Sequence, residues 1–214
     1  MGVSVGNLIN KVPASERDAF ATKVAQVSAN IGVQPKDLMA IMDLESAGTF
    51  DPTITNSLGY TGLIQFGAQA AKDLGTTTAD LKKMTRVQQL DYVQKYFQLW
   101  KKRLGISSFN DFVDMYLTVL YPAGIKEMDQ NKPIMPQSVA NANSGLKDVN
   151  GNVTKNSIRA VYANRYQGLF DKAIQLASEG TDVVKKNPIK SGLALFAFVV
   201  VVGLIAYAMW PNKK

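Results

Sequence analysis

Carboxylates are the side chains in this sequence best able to do chemistry. The chain holds no cysteine and no histidine, which removes imidazole-assisted serine or thiol nucleophiles, zinc sites built on thiolate or imidazole, and disulfides. Glu45 stands out by position. Leu38, Ile41, Met42 and Glu45 fall at i, i+3, i+4 and i+7, which makes Glu45 the one acid on an otherwise apolar helix face. A glutamate there is unfavourable unless it is neutral, paired or used, and desolvation raises its pKa toward the range of a general acid. The plainer alternative is a helix-end glutamate that reaches back to water. Asp43 lies roughly 200° around the same helix and is expected to face solvent. Asp51 is the only acid in the following loop near enough to act as a second carboxylate. Beyond it, Gly59-Tyr60-Thr61-Gly62-Leu63-Ile64-Gln65 reads as a glycine-punctuated turn that delivers Gln65 at its end.

Helices must position these groups. Ser15-Glu16-Arg17-Asp18 has the pattern of a capping box opening a helix to about Asn30, with Phe20, Val24, Val27 and Ile31 on one face and Gly32 as its stop. Pro35 suits the first turn of the helix that carries Glu45. Residues 53–58 are polar and fit a loop or a short hairpin. A helix over about 66–74 and a further turn or two over 78–84 follow. Thr85 then caps a long helix lined by Leu90, Val93, Phe97, Trp100 and Leu104 and closed by Gly105. Ser108 and Asp111 form a second capping-box pattern before a helix that stops ahead of Pro122. Residues 126–156, with Pro133, Pro136 and many Asn and Gly, read as a long irregular loop. A last helix is expected from about Ser157 to Ser178.

The sequence has 214 residues and a net charge of +7, unevenly spread. Residues 1–184 carry +2, whereas the last thirty carry five lysines and no acid. The basicity therefore flanks the tail, and no aromatic-interleaved basic stripe suggests nucleic-acid binding. Residues 193–209 are almost wholly apolar, a length matching a hydrocarbon core of roughly 30 Å, with Trp210 and lysines at the borders. A membrane-spanning helix is expected over 191–212. The opening residues have neither the basic start nor the long apolar run of a secretory signal, so insertion is expected after synthesis or into a membrane under assembly.

Glu45-Ser46, then Gly59-x-x-Gly62-Leu63-Ile64-Gln65, then Leu120-Tyr121-Pro122-Ala123-Gly124 resemble the successive motifs of the lytic transglycosylase family within the lysozyme-like superfamily. The resemblance covers roughly residues 14–175. It implies cleavage of the β-1,4 bond between N-acetylmuramic acid and N-acetylglucosamine, with one glutamate acting first as acid and then as base to form a 1,6-anhydro ring. This departs from the two-carboxylate scheme of most glycosidases. By matching position, Glu45 is the acid/base and Ser46 a hydroxyl orienting it or the substrate. Gln65 positions the sugar, Gly59 and Gly62 admit the glycan close to the backbone, and Tyr121 hydrogen-bonds the catalytic carboxylate. Pro122 replaces the family's Asn. Tyr162 and Tyr166 both match its late tyrosine. Asp51 keeps a hydrolytic lysozyme mechanism open.

Asp148-Val149-Asn150-Gly151-Asn152 resembles part of an EF-hand loop but lacks the acids at both obligatory positions, and reads as an Asn-Gly turn rather than a calcium site. The whole is thus expected to be mainly α and lysozyme-like, with at most a short hairpin and a C-terminal transmembrane helix. Its expected divisions are an N-terminal segment (1–13), a transglycosylase domain (14–180), a basic linker (181–190) and the span (191–212). Expected partners are peptidoglycan strands, a lipid bilayer and, in a bacteriophage particle with a membrane, other virion proteins. Neither cofactor nor metal is implied. A membrane-anchored glycan-binding or structural protein that keeps the fold without turnover is the alternative from another class.

Overall fold

The computed structural model describes residues 7–167. The linker and membrane span expected at 181–190 and 191–212, and the end of the helix expected to reach Ser178, lie outside the described residues. Within 7–167 no helix is long and apolar enough to cross a membrane.

The described chain is mainly helical. Its α-helices are α1 (Arg17–Ile31), α2 (Pro35–Glu45), α3 (Ala68–Asp73), α4 (Thr78–Leu81), α5 (Arg86–Leu104), α6 (Phe112–Leu120), α7 (Gln137–Ala142) and α8 (Lys155–Tyr162). Short 3-10 turns at Asn7–Lys11, Ala14–Glu16, Pro122–Lys126 and Ser144–Leu146, and a π-helical turn at Ala163–Gln167, complete the helical set. Strand pairing among the described residues is limited to isolated antiparallel bridges, Thr55 with Thr61, Thr61 with Phe66 and Lys147 with Val153.

α1 packs against both α5 and α2, because each presents an apolar stripe at helical spacing. Phe20, Val24, Val27 and Ile31 of α1, and Leu90, Val93 and Phe97 of α5, are fully buried, each worth roughly 1.5–3 kcal/mol of burial. Caps set the helix ends. Gly32 and Gly105 adopt the left-handed conformation that closes α1 and α5, and Thr85 with Gln88 makes a reciprocal capping box at the start of α5.

Several expectations are corrected. The Ser15 pattern makes no capping box: Glu16 occupies the cap position without a side-chain hydrogen bond, because Ala14–Glu16 is already wound into a 3-10 turn. α6 starts later than the Ser108 pattern implied. Asp111 alone is its cap, with Oδ1 accepting from the amides of Val113 and Asp114 at 2.9 and 3.1 Å. The stretch 126–156 is not irregular throughout. It contains α7, a 3-10 turn and the Lys147–Val153 bridge, and it buries Ile134, Met135, Val139, Leu146 and Val153. α8 begins two residues earlier than expected, at Lys155, because Thr154 and Ser157 form a capping box. The segment before residue 14 is likewise built into the core through buried Leu8 and Val12.

Around Asp148 the chain forms the turn expected of it. Its Oδ1 accepts from the amides of Asn150 and Asn152, both at 2.9 Å, and Gly151 takes φ +78°.

Candidate active site

α2 runs to Glu45, and the chain then reverses through backbone conformations that side chains rarely adopt. Ala47, Phe50 and Gln65 have φ of 51°, 52° and 52° and are the non-glycine residues with positive φ among those described. All three lie within twenty residues after Glu45 in sequence, where such local strain needs support from surrounding contacts. Ser46 supplies part of it. Its hydroxyl donates to the Met42 carbonyl at 2.6 Å and accepts from the Phe50 amide at 2.9 Å. Phe50 is thereby held edge-on to Phe20, with ring centroids 6.0 Å apart. Ser46 is fully buried and its hydrogen bonds serve the loop, so it does not orient Glu45.

Glu45 is only 2% exposed, and neither carboxylate oxygen has a hydrogen-bond partner. Desolvation pushes its pKa well above the usual carboxylate range. The two tyrosines whose hydroxyls feel its charge are Tyr96 of α5 and Tyr116 of α6. Both are themselves held well above the ordinary phenol range, first by burial and then in part by Glu45. Tyr96 donates to the Thr118 carbonyl at 2.9 Å, joining α5 to α6. Neither tyrosine was singled out from the sequence. Both were visible there as aromatic positions on helix faces, where a core role hides any other.

Tyr121, expected to hydrogen-bond Glu45, does not: it terminates α6 as a nearly buried side chain, and the glutamate oxygens remain unpartnered. Its φ of −157° and ψ of 80° turn the chain into the 3-10 segment opened by Pro122. Gly124 there sits against Ile134, where a Cβ would lie 3.1 Å from the Ile134 side chain.

The Gly59–Gln65 stretch forms a tight double-bridged loop. Asn56 organises it, its Oδ1 accepting from the amides of Leu58 at 3.0 Å and Tyr60 at 3.1 Å while its Nδ2 donates to Gln65 Oε1 at 2.9 Å. Gln65 Nε2 donates in turn to the Gly62 carbonyl at 3.1 Å, so this amide is engaged in holding the loop. Gly59 and Gly62 both take φ +82°, as the expected tight turn requires, and Gly62 is needed for a further reason. A Cβ there would fall 2.3 Å from Gln89 Oε1. Gln89 is a fully buried polar side chain on the apolar face of α5; it donates to the carbonyls of Pro52 at 2.7 Å and Leu81 at 2.9 Å and accepts from the Leu63 amide at 2.9 Å. It staples the loop to the core, and its signal in the sequence was a lone amide in line with Val93 and Trp100. Around Gly59, by contrast, a Cβ would meet nothing within 4 Å.

The remaining candidates sort by their partners. Asp51 Oδ1 accepts from the amide and hydroxyl of Thr53, both at 2.8 Å, in a partly exposed turn. Tyr162 donates to Asp37 at 2.5 Å and stacks on Phe112 with centroids 3.9 Å apart. Tyr166 is almost fully buried and donates to Asp43 at 2.8 Å. Asp43 itself reverses the sequence expectation. It is fully buried, paired with Lys11 and Arg165. The helical wheel was right that it turns away from the Glu45 face, but that side of α2 is covered by the segments that carry Lys11, Arg165 and Tyr166.

Chemically, the arrangement offers one dehydrated carboxyl whose pKa is raised by burial, which suits proton donation. Among the described residues no group of three acids could hold a metal ion. No protein family, curated protein or solved structure matches this chain.

Proposed function

We propose that this chain is a peptidoglycan lytic transglycosylase of lysozyme-like fold, tethered to a membrane through residues 191–212 and carried in a bacteriophage particle or the host envelope. The supporting observation is Glu45, whose two oxygens are buried without a partner at the end of a core helix. In the proposed reaction, neutral Glu45 gives its proton to the glycosidic oxygen as the C1–O bond breaks, releasing the N-acetylglucosamine hydroxyl. The resulting carboxylate takes the proton of the muramoyl C6 hydroxyl as that oxygen bonds to C1, closing the anhydro ring. One carboxylate suffices for both steps, and a raised pKa favours its acid form at the start. Gly59, with open space beside it, is the place where a glycan would approach the loop backbone. Ser46, Gly62 and Gln65 would act by holding that loop, and Tyr121 by walling the site.

A non-catalytic glycan-binding role is favoured by one observation, the near-complete enclosure of Glu45. Turnover would then require the loop to open, and a protein that only binds would not need that. Product analysis separates the readings. The full chain in detergent, given purified sacculi, should release anhydro-muropeptides, and Glu45→Gln should release none while staying folded. Reducing-end products would favour the Asp51-assisted hydrolase instead. Equal release by wild type and Glu45→Gln would remove Glu45 from the chemistry.

A further inference from the structure

Behind Glu45, on the opposite side of α2, lies a buried charge cluster that the proposed reaction does not use. Asp43 has no exposed surface. One of its oxygens, Oδ1, receives Lys11 Nζ from the N-terminal 3-10 turn. Its other oxygen accepts from the Tyr166 hydroxyl at 2.8 Å and from Arg165 at 3.2 Å, both in the π-helical turn. The chain packs closely around it: a Cβ at Gly48 would lie 3.1 Å from Lys11 Nζ and 3.3 Å from Asp43 Oδ1. The cluster thus joins three segments far apart in sequence at the last turn of the helix that carries Glu45.

We infer that Asp43 is a positioning residue for Glu45: it pins the end of α2 to the N-terminal 3-10 turn and the π-helical turn and offsets one of the two positive charges of Lys11 and Arg165 behind the carboxyl. The cluster of Lys11, Arg165 and Asp43 carries one net positive charge, and replacing Asp43 by asparagine leaves two. The separation across α2 is about a helix diameter, roughly 10 Å. At that range one uncompensated charge moves a carboxyl's titration by about one pH unit. On the Glu45 side the nearby phenols of Tyr96 and Tyr116 have their own pKa values raised by burial, so they stay uncharged and leave this balance unchanged. The facing side of α1 is apolar apart from Ser28.

The inference rests on the reading of Glu45 as the acid, yet it can be tested without activity. The chain has four glutamates, Glu16, Glu45, Glu127 and Glu179, so carboxyl-labelled glutamate in the full chain in detergent gives few resonances, and Glu45→Gln identifies one of them. In Asp43→Asn the Glu45 midpoint should fall by about one pH unit. Adding Arg165→Gln restores the native net charge and should bring it back. Arg165→Gln alone should move it upward, which keeps the test alive if Asp43→Asn does not fold. A merely structural Asp43 would change stability and leave the midpoint in place, and an unmoved midpoint in folded variants overturns the inference. Shifted midpoints with no muropeptide release from any variant would uphold the role of Asp43 and defeat the transglycosylase reading.

Discussion

Asp43 and Glu45 are two residues apart on α2 and equally removed from water, yet the protein treats them in opposite ways. Asp43 receives two cations and a phenol. Glu45 receives no hydrogen bond at all. The contrast shows that burial alone does not define a reactive carboxyl. A buried acid with partners is a structural joint, whereas one without them has its pKa raised by desolvation. The difference arises because the two faces of α2 meet different things: the Glu45 face meets the tyrosines of α5 and α6, and the Asp43 face meets the ends of the described chain.

Substitutions on each side of α2 can break or sharpen this contrast. The largest effect is expected on activity. Glu45→Gln should lower muropeptide release by about 10³-fold or more, since a general acid contributes on the order of 10²–10⁴; release from sacculi, read by chromatography, checks it. Next, Asp43→Ala should destabilise the fold by about 3 kcal/mol in urea unfolding, because it leaves Arg165 and Tyr166 without their buried acceptor. The loss should be only moderate for an ion cluster, since Lys11 is 43% exposed and solvent already screens it. A loss as small as that of a surface substitution would erase the distinction between the two acids.

The same Glu45→Gln change should act on stability in the opposite direction, with a defined pH dependence. The folded pKa of Glu45 lies above its ordinary 4.5, so folding favours the protonated acid. Below that ordinary value the carboxyl is neutral in both states and glutamine brings no gain. As pH rises toward the folded pKa, the native protein loses stability by about 1.4 kcal/mol per unit, and the glutamine variant does not. Glu45→Gln should therefore melt above wild type at pH 7 and close to it at pH 4. The smallest effect is expected for Tyr121→Phe. Its hydroxyl does not reach Glu45, so the glutamate midpoint should move by less than about 0.3 unit, as followed by carboxyl NMR.

Much of this was legible in the residue order. The apolar stripe of α5 was readable from Leu90, Val93, Phe97 and Trp100, and its ends from Thr85 and Gly105. Glu45 was readable because a helix maps sequence spacing directly onto a face. α7, between 126 and 156, was hidden because six residues are too few to show a period. Ser46 and Gln65 matched a motif, but which groups their side chains would bond depended on how the loop closed, and both bond within it.

By itself, the sequence determined which side chains could do chemistry and where the main helices run. With neither histidine nor cysteine, carboxylates were the main candidates for acid/base work, and helical spacing put Glu45 on the core face. Only the tertiary structure decided which buried acid would be left alone. Lys11 is 32 residues from Asp43 and Tyr166 is 123 away; local spacing holds no record of contacts at such range, because only the folded chain brings the segments around Lys11 and Tyr166 onto α2.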